Sequence, residues 1–250
     1  MKTIVAIVLV LNTLNALAFD FEIDNKFYNV INENSVEITY NKDTINSYVS
    51  KDIVIPEMVN FNDREYRVTQ IGEFAFADCS NLHSVTIPEC VTIIGRGAFQ
   101  DCENLNMIEL PNSIEKIGKY AFALCKNLTS IYIPPKVKSI EEATFLCCEK
   151  LESIEFSENI SSIGAIAFML CENLKSVTLP KNIDNLEACA IFHACKSLEF
   201  MTIMSEIPPK VYPLGMDIDL KQVKLFVPTG SKVHYEQAET WKDFVRIEEF

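Results

Sequence analysis

Between residues 68 and 206 the apolar side chains keep a fixed schedule. Val68, Val91, Ile114, Val137, Ile160 and Ile183 open six consecutive units, the first five of 23 residues and the last of 24. Within them recur Phe76, Phe99, Phe122, Phe145, Phe168 and Phe192, then Cys79, Cys102, Cys125, Cys148, Cys171 and Cys195. Leu82, Leu105, Leu128, Leu151, Leu174 and Leu198 follow three residues after each Cys. In the first unit Leu82, Val85 and Ile87 alternate toward one side, which predicts a short strand with one buried face. Pro88 has no N–H for a ladder and ends that strand; Pro111, Pro134 and Pro180 repeat the stop, whereas Ser157 and Met204 replace it. Gly72, Gly95, Gly118 and Gly164 predict a tight bend, with Glu141 and Glu187 standing in the same column. Between bend and strand, Ala75, Phe76, Cys79 and Leu82 sit at near-helical spacing, which predicts one or two turns of α- or 3-10 helix.

A period in the twenties carrying L-x-x-[apolar]-x-[apolar] is the signature of a leucine-rich-repeat solenoid. One coil buries too little to fold alone, so successive coils must stack Phe on Phe and Leu on Leu, with different sequence closing both ends. The expected class is an α/β repeat solenoid, a right-handed superhelix of short parallel strands and short helical turns. The divisions are a leader over 1–18, an N-terminal hairpin cap with a first irregular rung over 19–67, repeats over 68–206, and a C-terminal strand–helix cap over 207–250. Residues 19–41, FDFEIDNKFYNVINENSVEITYN, alternate as antiparallel hairpin strands do, and Ile53-Val54-Ile55-Pro56 reads as the irregular rung. At the other end the reading is a strand over Val223 to Val227, a helix through Tyr235 and Ala238, and Trp241, Phe244 and Ile247 closing the core.

Composition narrows the choice of partner. The formal charge is −13, from 35 acidic and 22 basic side chains, which repels phosphate backbones and anionic lipid heads. The opening MKTIVAIVLVLNTLNALA has a positive start at Lys2, a short apolar run and Ala16-Leu17-Ala18, the pattern of a cleaved export signal. The run is too short to span a bilayer, and an exported chain with no membrane insertion after signal removal is expected.

Candidate chemistry is sparse. The six column cysteines admit three readings: an inert ladder of buried thiols, some disulfides between neighbouring rungs, or a metal site. The first is favoured, because stacked side chains run parallel into the core. Cys147 is adjacent to Cys148, Cys90 and Cys189 lie outside the column, and the total of 9 is odd. His83, His193 and His234 occupy unrelated columns, and no nucleophile elbow, zinc-protease or phosphate-loop motif occurs. Glu109 and Glu155, two rungs apart, are the nearest thing to a catalytic pair, but nothing buries either one. No catalytic, cofactor-binding or metal-ligating residue is assigned, and no enzyme is expected. Binding would live on the outward strand positions, on the inner, concave side of the solenoid: Thr86, Met107, Glu109, Tyr132, Glu155, Thr178, Phe200 and Thr202, among the serines 84, 130, 153 and 176. The competing reading is a merely solvated Ser/Thr-rich face.

The units resemble the BspA-like class of bacterial leucine-rich repeats, similar to I-G-x-x-A-F-x-x-C-x-x-L-x-x-[IV]-x-[IL]-P. DFEIDNKFYNV and VPTGSKVHYEQAETWKDFVRIEEF resemble that family's usual start and C-terminal segment. The resemblance implies a secreted or cell-surface bacterial protein that binds other proteins, sometimes as an adhesin, with a surface glycan as the second class of partner. A purely structural surface or matrix component is the alternative.

Overall fold

The computed structural model describes residues 19–41, 48, 50–183, 185–186, 190–211 and 220–250. The expected leader, Glu187 and Cys189 lie outside them. Two tight hairpins open the fold. Phe21–Ile23 pairs antiparallel with Lys26–Asn32 across Asp24-Asn25, and Met58–Phe61 with Arg64–Ile71 across Asn62-Asp63. All four turn residues have φ between 50° and 60°, the conformation that two-residue hairpin turns require and that Asn and Asp tolerate. Ser35–Thr39 pairs antiparallel with Lys26–Asn32 and parallel with Arg64–Ile71, so the sheet changes from hairpin to stacked coils there.

From that point the coils run past two parallel ladders, the first of them interrupted at residues 106–110 and between Ser153–Phe156 and Ser176–Leu179. The anticipated one contains Asp52–Val54, Ser84–Thr86, Ser130–Ile133, Ser153–Phe156, Ser176–Leu179, Phe200–Ile203 and Lys224–Val227. The second contains pairs of residues: Ile93–Ile94, Lys116–Ile117, Ser139–Ile140, Ser162–Ile163, Asn185–Leu186 and Lys210–Val211. In the sequence its positions show only the bend that the glycine column predicts. The glycines beside it are not in left-handed conformation. They are needed because a Cβ on Gly95 or Gly118 would lie 2.7 Å from the preceding coil's backbone, at Glu73 N or Arg96 N. The short ladder is interrupted between Lys116–Ile117 and Ser139–Ile140, where Glu141 takes the glycine position.

The expected helical turns are absent among the described residues, and the class is better stated as a β-solenoid of very low helix content. Two residues per coil, four apart, are left-handed: Phe74 and Asp78, Gly97 and Asp101, Tyr120 and Leu124, and so on to Ala190 and Ala194. No α-helix accommodates such a residue every four positions. Each non-glycine case costs about 1–2 kcal/mol. The return is a different hydrogen-bond pattern. Phe74, Phe76 and Asp78 donate their N–H groups to Arg96, Ala98 and Gln100 in the next coil, each at 2.8 Å. The intervening Ala75, Ala77 and Cys79 donate three residues back, to Gly72, Phe74 and Phe76. Alternate donors therefore stitch coils together where a helix would use all of them internally. Among the described residues helix is confined to Lys232–Gln237 and a 3-10 turn at Trp241–Asp243, followed by a further parallel strand, Arg246–Glu249, against Lys224–Val227.

The core is a set of continuous files. Phe76, Phe99, Phe122, Phe145, Phe168 and Phe192 are fully buried. Their successive rings lie 5.2–5.6 Å apart and within 8° of parallel. The cysteine file beside them has a backbone role. Cys102, Cys125, Cys148, Cys171 and Cys195 each point the thiol at the preceding coil's Phe carbonyl, at 3.0–3.2 Å. The same carbonyl accepts the N–H of its own coil's Cys, as Phe99 does from Cys102 at 3.3 Å. A small apolar side chain ending in a weak donor suits that buried site. At the C-terminal end Trp241, Phe244 and Ile247 are buried, and the Trp241 Nε1–H donates to Pro209 O at 2.9 Å.

Candidate functional site

The strands of the first ladder turn two rows of side chains to solvent because their alternate residues fill the core. Ile131 and Ile133, Ile154, Val177 and Leu179, and Met201 and Ile203 are buried. The residues between them share a register: Ser130 faces Ser153 and Tyr132 faces Glu155. Ser176 faces Phe200, and Thr178 faces Thr202. Thr86, Glu109, Glu155 and Thr178 are exposed, as are Met107, Tyr132 and Phe200 at 59%, 47% and 43%; Thr202 is half-buried. All eight positions named from the sequence thus lie on one side of the ladder.

Three features of this face were not anticipated. The rows extend at both ends, through Val54 opposite Thr86 and through Phe226 opposite Thr202 and Glu248. Alternation with Leu225 and Val227 before Pro228 was the available signal for Phe226. It packs 6.3 Å from Phe200, and the Lys224 ammonium lies 5.1 Å from its ring centre. Second, residues 106–110 form no strand. Ile108 and Leu110 still point inward, so Met107 and Glu109 point outward, but among the described residues no main-chain hydrogen bond reaches residues 107–110. Third, only some of the carboxylates are paired. Glu142, Glu115, Glu152 and Glu172, on the flanks, pair with lysines of adjacent coils at 2.7–3.2 Å. Among the described residues Glu109 and Glu155 make no ion pair, and neither do the exposed Glu89, Glu158 and Glu199.

Elsewhere the chemistry is quiet. Burial pushes the Cys79 thiol up to about 11 and the Cys195 thiol up to about 12, and raises Cys102, Cys125, Cys148 and Cys171 as well. Thiols held protonated at neutral pH are poor nucleophiles and poor metal ligands. No group of three or more His, Cys, Asp or Glu among the described residues is placed to hold a metal ion. His83 and His234 contact main-chain carbonyls, at Asn81 and Glu206 respectively. A groove of about 890 Å³ runs along the short ladder, floored by Gly72, Gly95 and Gly118 and edged by Glu37, Lys116 and Lys119. Arg96 there lies between the rings of Phe74 and Tyr120, at 5.8 and 5.7 Å. Its mixed charges select no single ligand sign. No described helix is long and apolar enough to cross a membrane.

Comparison with solved structures gives the same architecture. A T. pallidum leucine-rich repeat protein superposes with a TM-score of 0.64 at 25% identity, over 87% of this chain and 90% of that one. A leucine-rich cell surface protein of Faecalibacterium prausnitzii A2-165 gives 0.59 at 23% identity, over 80% of this chain but only 58% of that longer one. The search of curated proteins returned no match. Six copies of the BspA type leucine-rich repeat region match residues 22–144 and 69–199. The stacked Phe and Cys files are what those repeats encode, and the chain belongs to the BspA-type leucine-rich repeat family.

Proposed function

We propose that this protein is a binding module, exported and displayed at a bacterial cell surface, that engages another macromolecule through the outward face of its first ladder. A protein is the favoured partner, a surface glycan the second class, and the role is adhesin-like. The reading is supported by the family and by the name of the F. prausnitzii neighbour, a cell surface protein. The observation that carries it is the uncovered row itself, where Met107, Tyr132 and Phe200 stand exposed, the last two on paired strands. Exposed aromatic and Met side chains are typical anchors of recognition surfaces, and a solenoid presents them at fixed spacing.

The test uses the purified protein as bait against host and bacterial surface extracts. A second bait carries Ser153→Trp and Ser176→Trp, two exposed outward serines, which raises a wall across the face without touching the core. A partner retained by the first bait and lost by the second is the expected result. A partner retained equally by both would place binding elsewhere.

A further inference from the structure

The short ladder is open at the junction between the coil of residues 114–136 and that of residues 137–159. At the junctions before it, and at the next one after, two main-chain donors close the ladder. Gly72, Gly95, Gly118 and Gly164 donate their N–H groups to Ile38, Ile71, Ile94 and Ile140 of the preceding strand or coil, at 2.8–2.9 Å. Thr92, Glu115 and Ser161 donate likewise to Thr69, Thr92 and Lys138, at 2.8–2.9 Å. The equivalent donors at the open junction are Lys138 and Glu141, and among the described residues neither N–H makes a main-chain hydrogen bond. The glycine column supplies the cause. A Cβ on Gly95, Gly118 or Gly164 would meet a main-chain nitrogen of the preceding coil at 2.7 Å, so a residue that carries one holds its coil away. Glu141 carries one. Its carboxylate turns back and accepts from Ser139 Oγ of its own coil at 3.1 Å.

Two other lines of contact stay closed between the same two coils. Tyr120, Phe122 and Leu124 donate to Glu142, Thr144 and Leu146 at 2.7–3.1 Å. Ser130–Ile133 pairs in full register with Ser153–Phe156, and the Phe122 and Phe145 rings stay 5.6 Å apart. Side chains rather than main chain cross the open side: Glu142 accepts from Lys119 Nζ at 3.0 Å and from Tyr120 OH at 3.1 Å. The Lys119–Glu142 pair is solvent-exposed, and pairs of that kind hold weakly. A hollow of about 300 Å³ lies against the gap, with Lys119, Ser139, Glu141 and Glu142 in its lining. We propose that this junction is a hinge of the solenoid, propped open by the Cβ of Glu141 and bending about the axis that joins the two closed contacts. Bending there changes the angle of the outward strand face on either side of the Tyr132–Glu155 pair while every strand hydrogen bond is kept. The hinge goes beyond the binding reading and does not depend on it.

The test compares the purified protein with Glu141→Gly and Glu141→Ala by residue-resolved hydrogen exchange and residual dipolar couplings in NMR. In the parent protein the amides of Lys138 and Glu141 are expected to be roughly 100-fold less protected than those of Glu115 and Gly118. Couplings from residues 68–134 and from residues 137–183 should fit alignment tensors of unequal magnitude, as two bodies that move against each other do. Glu141→Gly should bring the protection at positions 138 and 141 up to that of Glu115 and Gly118, merge the two tensors into one and raise the melting temperature. Glu141→Ala removes the carboxylate but keeps the Cβ, and should leave exchange and tensors as in the parent. Gly118→Ala makes the reciprocal change and should lower protection at positions 115 and 118 by the same factor, a readout that stands even where Glu141→Gly does not fold. Protected Lys138 and Glu141 amides in the parent, or one tensor for both segments, overturns the hinge. So does a Glu141→Gly protein with two tensors, or closure by Glu141→Ala as complete as by Glu141→Gly.

Discussion

Replacing Phe122 by Ala measures what the aromatic file contributes. The ring is fully buried and stacked on both sides, 5.4 Å from Phe99 and 5.6 Å from Phe145. Truncating a buried Phe to Ala costs about 3–5 kcal/mol, of which two ring contacts at about 0.5–1.5 kcal/mol each form a part. For a chain of this size that lowers the melting temperature by roughly 6–20 °C. Phe192 at the end of the file stacks on one Phe, Phe168, so Phe192→Ala loses about one contact less. Position also affects cooperativity. Coils touch only their neighbours, so a mid-file cavity weakens the coupling between the two halves. Urea unfolding followed by far-ultraviolet circular dichroism and by the fluorescence of Trp241, the protein's 1 tryptophan, separates these effects. Trp241 is buried in the C-terminal cap and reports that end alone. The expected result is coincident transitions in the parent protein and separated ones in Phe122→Ala. A loss below ~1 kcal/mol, the range of an ordinary surface change, would refute the stacking argument.

Three further outcomes are expected. Gly118→Ala places a Cβ 2.7 Å from Arg96 N, in the backbone of the preceding coil, and should cost about 1–3 kcal/mol by thermal melting. Gly230→Ala, left-handed at φ +83° but in open space, should cost only about 1 kcal/mol. Burial raises the column thiols, so the folded state keeps its protons after the unfolded chain has released them. Their stabilisation is therefore complete below the ordinary thiol pKa of about 8.5 and is lost as pH rises toward about 11 for Cys79 and about 12 for Cys195. Unfolding free energies from urea titrations across that window should fall, by about 1.4 kcal/mol per pH unit for each thiol. Mild alkylation of the native protein should label Cys90 and Cys147, both partly exposed, before any column cysteine, as peptide mass spectrometry after a short iodoacetamide pulse would show.

The Phe, Cys and Leu columns were legible because stacking demands the same shape at the same height in every coil. The glycine column was legible as a requirement but not as the right one. A close backbone approach and a tight bend both call for Gly, and only the 2.7 Å contacts distinguish them. Ala75, Phe76, Cys79 and Leu82 read as helix because their spacing is shared by a turn that donates alternately within and between coils. The second ladder escaped notice because Ile93–Ile94 and its equivalents are two residues long, too short for alternation to register. On the outward face, alternation located Tyr132 and Glu155 correctly. It missed Phe226, whose coil has no repeat columns around it, and the missing strand at residues 106–110, which departs from its neighbours in backbone alone.

The forward-directed N–H groups of Phe74, Phe76 and Asp78 recur in the next coil at Gly97, Phe99 and Asp101, each again satisfied by the coil beyond. Every turn therefore offers its successor the same socket that it fills in its predecessor. Duplication or loss of one 23-residue module creates no new kind of junction, so the length of the outward strand face is open to selection separately from the stability of the scaffold.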